Sequence, residues 1–143
     1  MNKRELCVAD VVAQIGTIRK IKKVEREPII LEELARTSFP CVIVESTNEI
    51  RDNNHFGMGA AGRSSVLDVV ITLHVFGANR DAQRNEFIAA IEHAVIADTS
   101  RGGIATDTQL TFVETQPIDS ARPYASARLT FQVQYCYNRE DLV

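Results

Sequence analysis

Two segments of period-two alternation constrain this chain more than any other feature of its sequence. Across 66–76, Leu67, Val69, Ile71, Leu73 and Val75 share one face, opposite Val66, Asp68, Val70, Thr72, His74 and Phe76. Across 124–137, Ala127, Leu129, Phe131, Val133, Tyr135 and Tyr137 oppose Ser126, Arg128, Thr130, Gln132 and Gln134. Successive side chains of a strand point to opposite faces, so each segment presents one continuous apolar face that has to be buried.

Two helical stripes supply the cover. Val8, Val11, Val12, Ile15 and Ile18 recur at helical spacing within 4–20, and Phe87, Ile88, Ile91, Ala94 and Val95 within 82–97. Asn79 or Asp81 is placed to cap the second helix, and Asp98 to Gly103 to stop it. The basic run Arg19-Lys20-Ile21-Lys22-Lys23 falls where a first helix would end, and its charge would complement the helix dipole there. Shorter strands are expected at Cys41–Glu45 and Leu110–Glu114, whereas 28–40, bracketed by Pro28 and Pro40, is ambiguous. This order predicts an α+β fold: a mostly antiparallel sheet of four to five strands with two main helices packed on one face. Strands 66–76 and 109–115 are joined through a helix, so they are either parallel neighbours or placed apart.

A length of 143 residues, 45% of them hydrophobic, suits a single domain spanning 1–143 that needs no disulfide or metal staple. The formal net charge of −3 argues against a general nucleic-acid binder. Its distribution is uneven: residues 1–26 carry seven basic and three acidic groups, +4, leaving −7 for the rest. No apolar run reaches the roughly 18 residues that a membrane-spanning helix needs. No secretory signal is expected from MNKRELCVAD, which has charges but no apolar stretch behind them.

Chemical motifs are weak. Gly57-Met58-Gly59-Ala60-Ala61-Gly62 matches GxGxxG, but the residues after it alternate as a strand, and the dinucleotide fingerprint has to open a helix whose N-terminus holds the pyrophosphate. His55, His74 and His93 lack HxH or HxxxH spacing, and Cys7, Cys41 and Cys136 lack CxxC spacing, so no metal or cofactor is expected and the thiols read as buried and inert. Asp68 and Glu114 could form a carboxylate pair across strands, with nothing to fix their distance. The segment 47–65, TNEIRDNNHFGMGAAGRSS, reads as a long loop or the tip of an extended hairpin, with part of a strand at 48–56. Loops of that length are usually functional or disordered, and this one could order against a partner through Arg51, Phe56 and Arg63. Arg19, Lys20, Lys22 and Lys23 are the other candidate interface residues.

Phe39-Pro40-Cys41-Val42-Ile43-Val44-Glu45 with Asn48-Glu49 resembles a stretch of tail terminator proteins from long-tailed bacteriophages. Leu67 to Phe76, the helix beginning Glu86-Phe87-Ile88, and Pro123-Tyr124-Ala125 leading to Gln134-Tyr135-Cys136-Tyr137 continue the likeness over roughly 4–138. Neck and other tail-completion proteins of the virion share this pattern. The resemblance implies a small subunit without catalysis, assembled in the host cytoplasm into a hexameric ring that caps the tail tube of the virion. It implies as partners further copies of itself, the tail tube protein and a head-side connector or neck protein, with a sheath protein as a further candidate. It also implies that DNA passes through the ring lumen without sequence-specific binding. The chain departs from the family in its glycine-rich 47–65 segment and its basic 19–26 segment. Two readings compete with it: a nucleotide binder using the glycine-rich segment, and a nucleic-acid-contacting module using Arg19 to Arg26.

Overall fold

The computed structural model describes residues 2–52 and 63–137. Helix α1 spans Lys3–Gly16, with the Asn2 side chain accepting from the Glu5 amide at 2.8 Å as its N-cap. It ends earlier than the apolar stripe suggests because Thr17 caps it. The Thr17 amide reaches the Gln14 and Ile15 carbonyls, and its hydroxyl donates to Gln14 O at 2.7 Å. Ile18 and Ile21 still pack on the core, but from a turn. The expected dipole role of the basic run is therefore not realised: the last turn of α1 holds no basic residue, and the run lies in the turn and in strand β1, Lys23–Glu25.

Strands β2 (Cys41–Asp52) and β3 (Arg63–Phe76) are followed by helix α2 (Arg80–Ile96), then β4 (Asp107–Thr115) and β5 (Tyr124–Tyr137). The sheet order is β1-β2-β3-β5-β4. β1 pairs with β2 in parallel and every other pairing is antiparallel. The fold is α+β, and α1 and α2 cover the same face. Buried Val8, Val11 and Ile15 from α1 and Phe87, Ile91 and Val95 from α2 join Leu67, Val69, Ile71, Leu73, Val75, Leu129, Phe131 and Val133 in one core. β3 and β4 are placed apart, with β5 between them.

Of the segment 47–65, residues 47–52 and 63–65 are strand, in keeping with the extended-hairpin reading of it. β2 runs on to Asp52 and β3 begins at Arg63, so only 53–62, outside the described residues, separates them. The sequence hid this because β2 carries a bulge. Ser46 lies opposite Val69 but Glu49 lies opposite Leu67, one residue out of step, and the alternation breaks there.

The face without helices is closed at one end by the segment before β2, which forms two 3-10 turns (Leu31–Glu33 and Arg36–Ser38). Phe39 packs on Phe76 and Tyr124 with ring centroids 5.6 and 5.4 Å apart, and the Tyr124 hydroxyl donates to Leu31 O at 3.3 Å. Asn79 does precede α2, but its side chain makes no capping bond; its backbone is left-handed at φ 60°. Asp81, in the first turn, instead pairs with Arg84 at 2.9 Å.

Candidate assembly surfaces

The basic run is presented at one edge of the sheet. Ile21 is buried and the Lys22 amide donates to Pro40 O at 2.9 Å, which fixes the turn on the body of the protein. Arg19, Lys20 and Lys22 project into solvent on either side of that anchor, while Lys23 is half-buried with its ammonium 3.7 Å from Glu25. Arg26 is committed internally, donating to both carboxylate oxygens of Glu5. Four of the sequence-derived interface residues, Arg19, Lys20, Lys22 and Lys23, therefore form one positive edge.

Arg51 and Arg63 sit elsewhere, on the strands flanking 53–62, and Phe56 lies outside the described residues. Arg51 is engaged within the chain: its Nε donates to Glu49 at 2.8 Å and its guanidinium stacks 4.5 Å from the Tyr137 ring centre. Glu49 is the centre of this cluster and was not legible as a site residue. Without the bulge it would fall opposite Val66 and point away from the helices; with it, Glu49 shares the face of Leu67. Arg4 of α1 donates to both of its oxygens, the closer contact being 2.6 Å, and the Tyr135 hydroxyl donates as well. Burial alone would raise the Glu49 pKa, but hydrogen bonds from Arg4, Tyr135 and Arg51 outweigh it and hold the carboxyl at about 2. The cluster locks the start of α1 to the far ends of β2 and β5.

The opposite edge of the sheet is β4. Phe112 and Val113 are exposed on it and Ile118 just beyond its end, three of the five large hydrophobic side chains so exposed among the described residues. The connection after β4 is held by α2. Buried Arg84 donates to Gln116 O at 2.8 Å and Ser126 O at 3.3 Å, and Arg80 reaches Asp119 O at 3.4 Å. Arg84 occupies the core stripe of α2, one turn before Phe87, a position that reads as surface in the sequence.

The remaining candidate chemistry is not assembled. Asp68 is opposite Gln132 and Glu114 opposite Arg128, four residues apart along β5, or roughly 13 Å. His74 Nδ1 lies 2.7 Å from Ser126 Oγ, and burial holds its pKa below the usual imidazole range. Cys7 and Cys41 are buried, and desolvation pushes both thiols up to about 11; Cys136, expected to be buried, is exposed. The GxGxxG segment lies outside the described residues, and the element after it is strand β3, not a helix.

No protein-family model matches the chain, and no curated protein does. Among solved structures, a chain in the virion of a native gene transfer agent particle overlays with a TM-score of 0.52 at 17% identity, covering 94% of this chain and 92% of that one. The two share a fold. The gp17 protein of bacteriophage SPP1 aligns more loosely, with a TM-score of 0.44 at 10% identity over 96% of this chain and 89% of its own.

Proposed function

We propose that this chain, as one domain spanning 1–143, is a structural virion protein of the tail terminator type. In this reading it forms a ring, six copies in the family it resembles, that caps the tail tube, stops its polymerisation and offers the head-side connector a docking surface. The observation that carries the reading is the near full-length overlay with a virion chain. The resemblance of Phe39 to Glu45 and of the strands and second helix to tail terminators supports it independently. In this reading the role is non-catalytic: the Glu49 and Arg84 clusters hold α1, α2 and the sheet together, and the basic edge is left facing solvent.

A ring of identical subunits needs two different surfaces that meet head to tail, and this sheet has one positive and one apolar edge. Purified protein added to polymerising tail tubes of the same virus should appear by electron microscopy as rings at tube ends, and should shorten the tubes in proportion to its concentration. Tubes that grow to the same length with no end-bound density would refute the reading. Density on the connector alone would instead identify a neck protein.

A further inference from the structure

We infer that the β4 edge, through Phe112, Val113 and Glu114, docks on the β1 edge of a second copy of this chain, where Lys22 and Lys23 receive it. The assignment rests on the ring reading above and names its contact.

The strand directions permit it. β1 runs with β2 and against β3, whereas β4 and β3 both run against β5, so the two free edges of the sheet point in opposite directions. When neighbouring copies stand side by side with their strands aligned, β4 meets the next β1 antiparallel, the arrangement in which an edge strand accepts another. The edges are also level. Rungs of the sheet run from Val24 through Val42, Leu73 and Ala127 to Thr115, and from Glu25 through Ile43, Thr72 and Arg128 to Glu114. A slide of two residues keeps every side chain on its own face and places Glu114 across from Lys23.

The side chains complement one another. Residues 107–119 contain Asp107, Glu114 and Asp119 and no basic group; residues 17–26 contain five basic groups against Glu25 alone. Lysines on a bare edge also guard against indiscriminate pairing; β4 has no lysine, and Phe112 is 59% exposed on it. Single exposed apolar residues are ordinary; Phe112 and Val113 side by side on an edge strand unpaired among the described residues, with Ile118 just beyond its end, mark a surface built to be covered. The Arg84 and Arg80 bonds to the segment after β4 hold that surface in place before any partner arrives.

Charge reversal tests the contact in both directions, read by mass photometry and sedimentation across concentration. Lys22→Glu/Lys23→Glu makes both edges acidic, and Glu114→Lys/Asp119→Lys makes both basic. Each variant alone should need about tenfold more protein to half-assemble, and mixing the two should restore assembly. Phe112→Asp, at an exposed position where folding is not at stake, should weaken assembly at least as much. Variants that assemble like the wild type, or a mixture that fails to recover, would overturn the edge assignment while leaving the terminator reading in place if the wild type still caps tubes. A wild type that self-associates through these edges yet ignores tail tubes would sink the terminator reading alone. A wild type that stays monomeric at every concentration, and on tubes, removes both.

Discussion

Glu49→Gln removes the charge at the centre of the α1–β2–β5 lock without changing the side chain's shape. In the folded protein the carboxyl titrates at about 2, against an ordinary value of 4.5. At 1.36 kcal/mol per pKa unit the difference corresponds to about 3 kcal/mol favouring the ionised, folded state. Arg4, half-exposed, recovers part of that by returning to water when its partner is lost, so a loss of about 2–3 kcal/mol is expected at pH 7. The pH dependence comes from the direction of the shift. A depressed carboxyl stabilises fully above its unfolded pKa, and the contribution drains away as pH falls from 4.5 towards 2. Urea unfolding of the wild type and Glu49→Gln at pH 7, 4, 3 and 2 should therefore give two stability curves far apart at neutral pH that converge by pH 2. A difference below about 0.5 kcal/mol at pH 7, the scale of ordinary surface changes, or a gap that persists unchanged to pH 2, would refute the account.

Other expectations are simpler. Ile71→Ala and Phe131→Ala empty fully buried core positions and should cost about 2–5 kcal/mol each in denaturant unfolding. Arg101→Ala should cost about 3–5 kcal/mol by the same assay, because its buried guanidinium donates to the Val95 carbonyl in the last turn of α2 and to the Asp98 carbonyl just after it, and lies 3.3 Å from Asp10. Ellman's reagent should modify one thiol rapidly, Cys136, and reach Cys7 and Cys41 only as the protein unfolds. Calorimetry with NAD, FAD and ATP should record no binding; saturable micromolar heat abolished by Gly59→Ala would revive the nucleotide reading.

What the sequence disclosed was whatever its periodicity encoded. The second alternating segment begins and ends as a strand where expected, at Tyr124 and Tyr137, and both helical stripes face the sheet. What it concealed came from three local departures from pattern. The bulge after Ser46 reset the phase of β2, so 47–52 left loop and extended hairpin both open, and nothing in the pattern put Glu49 on the helix face. Thr17 terminated α1 by satisfying carbonyls through its own amide and hydroxyl, which left the basic run with an edge to line instead of a dipole to balance. Arg84 and Arg101 are buried because backbone carbonyls at the ends of elements accept from them, a circumstance that side-chain polarity does not reveal. β1, at three residues, is too short to carry a period at all. Of the interface candidates, only the positive edge could be assembled from sequence, since it is contiguous; the apolar edge it would meet is defined by exposure, which a pattern of apolar residues cannot report.

The position of β5 bears on how this fold is completed during synthesis. It is the latest of the described strands, yet it lies between β3 and β4 and pairs with both along its length. Until residues 124–137 have left the ribosome, β3 lacks its partner on one side and β4 has none, and the face under α2 stays open. Pairing β5 with β3 also means closing a loop that contains all of α2 and β4, a non-local step of the kind that slows folding. The described sheet would then close only once residues 124–137 are available, with β4 taking its place at the edge after β5 has paired.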